Sequence, residues 1–265
     1  MILVIEIKDI SFSYKKGKNI LNNININIED GEVVAIVGDN GAGKSTLGRI
    51  IAGIIKPQKG NIIIDNVDIR KNEISKKNVG IVFQNPENQI IFNNIYDEIM
   101  FSLKDLSKEE IKTRIEQALE KVEMLEYINQ DLYELSLGQK QRIVIAEVLA
   151  RKPKYIIFDE PTTMIDSEGK DKIYKIIKEL KKEGYTIIYI TNLAEEILLA
   201  DRILILENGT ITDEIKKEEL IEKAETLSKH NIKIPMIVEV ARRLNILNLK
   251  DYTIEELVKA IQGVK

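Results

Sequence analysis

No cysteine occurs among the 265 residues, which excludes disulfide bonds, thiol nucleophiles and thiolate metal ligands. A single histidine, His230, leaves almost no imidazole for zinc chemistry, so any metal is expected to be held by oxygen. No apolar run approaches the roughly 18 residues of a membrane span, and the chain is not expected to cross a bilayer by itself. Basic residues are not in excess either. With 39 Lys and Arg against 43 Asp and Glu, the net charge is −4, which argues against a general nucleic-acid partner. The opening stretch MILVIEIKDISFSY carries acids early and alternates like a strand, without the basic region and uniformly apolar core of a signal peptide, and reads as cytoplasmic. What is present is an ordinary globular composition, 44% hydrophobic and 31% charged, long enough for one large domain or a core domain with an appendage.

Strands are expected over residues 3–7, over 24–28 with its Ile/Asn alternation, and in EVVAIVG (32–38), an unbroken apolar run suited to a strand buried on both faces. A glycine-rich turn and a helix from about Ser45 follow, then a hairpin in NIIIDNVDI (61–69) and a short strand in NVGIVFQ (78–84). From Ser107 the pattern is helical. Ser107 and Glu110 are spaced as a capping box, with Ile111, Ile115, Leu119 and Val122 on one face. YIIFDE (155–160) reads as a buried strand ending in two acids. A helix with Ile173, Ile176, Ile177 and Leu180 on one stripe leads through Gly184 to a strand over 185–190, a strand–helix–strand unit that requires parallel pairing. Asn208-Gly209 in RILILENGTIT (202–212) is a hairpin signal that should close the core. The tail is charged and helix-like, with Pro235 ahead of Val238, Ala241 and Leu244, and with Thr253 and Glu256 as a last capping box. The expected division is a core domain over 1–215, containing a helical subdomain over about 86–150, and an extension over 216–265.

GDNGAGKST (38–46) matches the phosphate-binding loop and stands between a buried strand and a helix, as its mechanism requires. The small residues Asn40, Gly41, Ala42 and Gly43 let backbone N–H groups close around phosphates at a helix N-terminus. Lys44 would pair with the outer phosphates, Ser45 would ligate magnesium, and Thr46 completes the set. The alternative is a glycine-rich turn with an incidental lysine. Asp159 and Glu160 end a strand where open α/β sheets place ligands. Asp159 would hold magnesium, and Glu160 would orient and partly deprotonate an attacking water, unless the pair is merely a solvated strand end.

LSLGQKQR (135–142), ahead of an apolar helix, resembles the signature of ATP-binding cassette (ABC) ATPases, with Leu137 where the family usually has a first glycine. Ser136 alone could be a helix cap, with Gln139 completing a capping box. The phosphate loop, Gln84, the signature, the Asp-Glu strand end and TMID (163–166) follow the family's order and spacing over nearly all of residues 5–215. The resemblance implies an α/β P-loop NTPase of ABC-ATPase fold, with a mixed β-sheet core, a helical signature subdomain, an antiparallel β subdomain and a small helical C-terminal extension. It implies two cassettes meeting head to tail, binding ATP and magnesium, with Ser136, Gly138 and Gln139 facing the partner's ATP. Tyr14 matches the aromatic residue that stacks on adenine, although an aromatic near a first strand could equally be core. Gln84 matches the residue that touches magnesium and senses the membrane partner; it could also be a polar strand end. A narrower likeness in VFQNPENQIIFNNIYDEIMF (82–101), EPTTMIDSEG (160–169) and NIKIPMIVEVARRL (231–244) is to the ATPase subunits of energy-coupling factor importers for vitamins and for cobalt or nickel. Such subunits lie on the cytoplasmic face of the membrane, beside an integral energy-coupling subunit and a substrate-binding membrane component.

Asn192 stands where that family has a histidine that contacts the γ-phosphate. An amide donates a hydrogen bond but carries no charge and reaches less far, so this chain's own site should be weakened, typically by roughly 10²-fold for one such contact. A second role is compatible with it: Asn192 as an N-cap, with Glu195 completing a capping box. Leu137 faces the partner's ATP and Asn192 the chain's own, so a heterodimer with a more typical ATPase is expected. A soluble cassette acting on DNA or ribosomes, a different class of function, would commonly carry long insertions or tandem cassettes, which this chain lacks.

Overall fold

The computed structural model describes residues 3–15, 17–69 and 78–263. β1 (Leu3–Phe12) pairs antiparallel with β2 (Leu21–Glu29) on one side and β4 (Lys59–Ile64) on the other, and β5 (Val67–Asp68) completes a four-stranded antiparallel sheet. Ile24, Ile26 and Ile28 of β2 are buried while Asn23, Asn25 and Asn27 are exposed, the period-2 outcome of the Ile/Asn alternation.

The second sheet has six strands in the order β10 (Thr210–Lys216), β9 (Arg202–Glu207), β3 (Val33–Val37), β8 (Thr186–Ile190), β7 (Tyr155–Asp159) and β6 (Val79–Val82). All neighbours pair in parallel except β10 on β9. Every residue of β3, β7 and β8 is buried. On β3, Val34 and Ile36 face the antiparallel sheet and α1 (Lys44–Ile51), whereas Val33, Ala35 and Val37 face the remaining helices. That two-sided burial is why EVVAIVG shows no polar alternation. Asn208 and Gly209 both adopt positive φ, 49° and 77°, at the β9–β10 turn, as the Asn-Gly pair requires.

Between β6 and β7 lie α2 (Ile95–Phe101), α3 (Lys108–Lys121) and α4 (Leu137–Ala150). The predicted stripe of α3 is buried, but its capping box is only half formed. Ser107 accepts the Glu110 N–H, while the Glu110 carboxylate turns to Arg114 one turn on, an ion pair that the i,i+4 geometry favours. In α5 (Ser167–Lys182), Ile173, Ile176, Ile177 and Leu180 are all buried. Among the described residues no helix is long and apolar enough to cross a membrane.

A short helix, α6 (Ala194–Ile197), follows β8, and after β10 the tail forms α7 (Ala224–Lys229), α8 (Met236–Arg243) and α9 (Ile254–Gly263). Leu220, Leu227, Val238, Ala241 and Leu257 join the same apolar cluster as the central sheet, so the tail packs on the core. Thr253 caps α9, but the Glu256 carboxylate binds the N–H groups of Lys250, Asp251 and Tyr252 rather than closing a capping box.

His230 pins this tail to the β9–β10 hairpin. Its Nδ1 lies 2.7 Å from Glu207 Oε2 and its Nε2 2.7 Å from Asp213 Oδ2. Burial disfavours the imidazolium, but hydrogen bonds and charge from Asp213 and Glu207 outweigh it and raise the pKa. A raised folded pKa gives stability that is present in full below the unfolded value and lost as pH rises through the folded value. His230→Ala should therefore lower the thermal midpoint at pH 6 and leave it little changed at pH 9; calorimetry at the two pH values reads the difference.

Candidate active site

Gly38 ends β3 at φ 150°, and a Cβ there would fall 2.0 Å from the Leu206 carbonyl oxygen, so the loop that follows must start on glycine. Gly43 opens α1 at φ 108° with no side-chain cap, leaving the first N–H groups of the helix facing the loop's hollow. Lys44 is 5% exposed and folds back over the loop, its Nζ donating to the carbonyls of Gly38 at 2.7 Å and Asp39 at 3.0 Å. Burial lowers its pKa, and the carboxylates of Glu160, Asp159 and Asp39 oppose that shift.

Beside α1, β7 delivers its two acids. Ser45 Oγ donates to Asp159 Oδ1 at 2.8 Å. Asp159 is 4% exposed, and burial pushes its carboxyl upward against Ser45, Arg49 and Lys44. Glu160 adopts φ 50°, a left-handed conformation rare for a non-glycine residue, and its N–H is held by the Ile190 carbonyl at 2.9 Å. The turn throws its carboxylate into the cleft. There Oε2 accepts from Gln84 Nε2 at 3.2 Å and from Thr163 Oγ1 at 3.4 Å, and Oε1 accepts from Asn192 Nδ2 at 3.2 Å. Burial raises the Glu160 pKa; Lys44 opposes and Asp159 adds to the rise.

Asn192 bridges the site. Besides Glu160 it donates to Asn40 Oδ1 of the phosphate loop at 2.8 Å. It is not the helix cap that its spacing to Glu195 suggests. α6 begins after Leu193 without a side-chain cap, and Thr191 Oγ1 takes the Leu193 N–H instead. Two tertiary hydrogen bonds have outcompeted one local bond. Tyr14 is likewise not core: it is 58% exposed, braced edge-on by Phe12 with ring centroids 4.9 Å apart, and its hydroxyl lies 3.3 Å from Thr46 Oγ1.

A cleft of about 610 Å³ results, lined by Tyr14, Lys44, Ser45, Thr46, Gln84, Glu160 and Asn192. Asn40, Gly41 and Gly43 also line it, with Ala42 and Asp159 buried behind. Ile20 and Leu193 line the cleft unforeseen, and so does Thr163, whose signal was its place at the start of TMID, three residues after Glu160. Ser136, Gly138 and Gln139 are elsewhere, at the N-terminus of α4. Ser136 and Gln139 form a complete capping box, and Gly138 lies against Ile165 and Gly169, where a Cβ would meet them at 3.2 and 3.6 Å.

The family model described as ABC transporter matches residues 21–163. The energy-coupling factor transporter ATP-binding protein EcfA1 of Ligilactobacillus salivarius is 39% identical over 265 residues, covering 96% of this chain and 94% of that protein. Among solved structures, CbiO1 of Clostridium perfringens, part of the ABC transporter complex CbiONQ, superposes with a TM-score of 0.76 at 33% identity, covering 90% of this chain and 98% of that one. A dimeric ATP-binding cassette in a post-hydrolysis state with ADP and Pi superposes at 0.73 and 31% identity, covering 80% and 98%.

Proposed function

The chain belongs to the ABC transporter family as one of its ATPases, and from there we propose that it is the ATP-binding subunit of an energy-coupling factor importer, driving uptake of a vitamin or a transition-metal ion through membrane partners. The observation that carries the reading is the joined cleft, which Tyr14, Lys44, Ser45, Gln84 and Glu160 line together, with Asp159 bound behind it to Ser45. Tyr14 stacks on adenine. Lys44 and the free N–H groups of the first turn of α1 bind the phosphates. The donors near Ser45 suit magnesium: a hydroxyl, a carboxylate and the Gln84 amide oxygen are hard oxygen ligands, and Ser45 Oγ already lies 2.8 Å from Asp159 Oδ1. Magnesium bound by these groups would supply charge neutralisation on the outer phosphates.

Hydrolysis then rests on Glu160. Its carboxylate accepts a hydrogen bond from the water that attacks the terminal phosphorus, and draws the proton as the bond to the β-phosphate oxygen breaks. Its two oxygens accept three hydrogen bonds, two on Oε2 and one on Oε1, which leaves an acceptor position on Oε1 for the attacking water. Gln84 donates to Glu160 through Nε2, so its amide oxygen would remain free to help hold magnesium, and a membrane subunit that displaces Gln84 would alter the surroundings of Glu160. Asn192, between Glu160 and Asn40 of the phosphate loop, supplies a neutral donor beside the terminal phosphate.

Two departures from the usual pattern, Asn192 in the chain's own cleft and Leu137 at the surface offered to a partner, support pairing with a second, more typical ATPase. The full chain affinity-purified from membranes should bring down that ATPase together with integral membrane subunits. A symmetric homodimer with full activity would overturn the heterodimer.

A second reading, a regulatory subunit whose own site turns over poorly, is favoured by one contact: the donor meeting Glu160 and Asn40 is a neutral amide. Asn192→His separates the two. If this chain's site contributes to turnover, restoring the charged donor should raise ATP hydrolysis by roughly tenfold or more. If the site is purely regulatory, transport by the assembled complex should gain little.

A further inference from the structure

The short helix α6 carries an acid on its apolar side. Glu196 is 1% exposed, buried with Ala194 and Ile197 while its neighbour Glu195 is exposed. Its carboxylate accepts hydrogen bonds from the hydroxyls of Thr162 and Thr191, and from the Tyr174 hydroxyl at 3.2 Å. Burying a carboxylate among hydroxyls is costly, and an apolar side chain of similar volume would often pack there with less loss. The justification for the charge therefore lies in what it holds in place.

It holds the two strand ends that carry the reacting groups. Thr162 follows Glu160 by two residues, with the fixed backbone of Pro161 between them. Thr191 immediately precedes Asn192. Its O–H goes to Glu196 while its oxygen accepts the Leu193 N–H at 2.9 Å, so the chain is tied on both sides of Asn192. Thr191 N–H is bound in turn to the Ile36 carbonyl at 3.2 Å, next to the start of the phosphate loop. Thr162 and Thr191 are 0% and 1% exposed, so this anchor lies beneath the cleft, out of reach of ATP.

We infer that Glu196 is a positioning residue for hydrolysis: through Thr162 and Thr191, one buried carboxylate sets Glu160 and Asn192 relative to each other and to the phosphate loop. The 3.2 Å contact between Asn192 and Glu160 is a consequence of that anchoring. The inference rests on the roles given above to Glu160 and Asn192. Misplacing a reacting group by about 1 Å can cost roughly 10²-fold in rate, so a partial loosening should be visible in turnover without loss of ATP binding.

The test uses Glu196→Gln, Thr162→Val and Thr191→Val in the full chain purified with its transporter subunits, with turnover counted per ATP-occupied site. Glu196→Gln keeps the volume and one acceptor, and each valine removes one O–H. ATP affinity should stay within about twofold of wild type, while kcat per occupied site falls roughly tenfold in each variant. Combining Glu196→Gln with Thr191→Val should cost less than the product of the single effects. Misfolding would instead reduce the number of ATP-binding sites. A measurement independent of turnover is the side-chain amide resonance of Asn192, assigned by its loss in Asn192→Ala; it should shift in Glu196→Gln and Thr191→Val. Wild-type kcat per occupied site in all three variants, with an unmoved Asn192 resonance, overturns the inference if Glu160→Gln is inactive in the same assay. If Glu160→Gln is also active, the reading of the cleft fails first, and this inference falls with it.

Discussion

In the assembled transporter, with turnover counted per ATP-occupied site of this chain, Glu160→Gln is expected to lower ATP turnover by roughly 10²- to 10⁴-fold while ATP remains bound, because the change removes the group that orients and deprotonates water and leaves the phosphate loop intact. The geometry makes the loss larger than an isosteric swap suggests. Glu160 accepts three hydrogen bonds, from Gln84, Thr163 and Asn192, and an amide at this position would offer an oxygen to one side and an N–H to the other. One of the two neighbouring amides would then face a donor. ATP retention by the variant, measured by filtration after incubation with labelled nucleotide, should match wild type as turnover collapses. The pH profile carries a second signature. The Glu160 pKa is raised, chiefly by burial, and the active form is the carboxylate, so wild-type turnover should decline on acidification sooner than an ordinary glutamate would allow.

Lys44→Ala acts one step earlier and should abolish detectable ATP binding at micromolar nucleotide. Truncating one partner of a buried, hydrogen-bonded charge pair costs about 2–5 kcal/mol, or roughly 30- to 1,000-fold and more in affinity. Here the ammonium does more than meet phosphate. It donates to the carbonyls of Gly38 and Asp39, and it is the cation that opposes the upward shift of both Asp159 and Glu160. Its loss leaves two carbonyls without their donor, removes the counter-charge beside Glu160 and leaves Asp159 with Arg49 alone. Calorimetric titration with ATP should show binding in wild type and none in the variant. Retained affinity would show that the backbone cradle alone holds the phosphates.

Where one local rule governs, the sequence is sufficient. EVVAIVG is a buried strand because it runs parallel within a sheet covered on both faces, Asn208-Gly209 turns because both positions take positive φ, and the stripe on α5 is buried because its spacing matches 3.6 residues per turn. The phosphate loop is legible for the same reason: strand, glycines, lysine and helix are contiguous. Asn192 is different. Its spacing to Glu195 satisfies a capping rule, yet its side chain is claimed by Asn40 and Glu160, which lie 152 and 32 positions away in the chain. Ser107 with Glu110, and Thr253 with Glu256, fail by half in the same manner, since each acid found a better partner nearby. Glu196 is obscured by its neighbour Glu195; its available signal is Leu193, Leu199 and Ala200 at helical spacing of three and four residues, which puts an acid on an apolar stripe. Its significance comes from Thr162 and Thr191, which meet only because β7 and β8 are paired.

The central claim is that this cassette binds ATP competently but, with Asn192 in its own cleft and Leu137 at its signature, depends on a dissimilar partner for efficient hydrolysis. The most direct test is magnesium-ATP turnover by the purified chain alone, against its Lys44→Ala variant as the blank, with ATP occupancy measured in the same samples. The account predicts turnover close to the blank with ATP bound to the wild-type chain. Turnover far above the blank from a symmetric homodimer would contradict it.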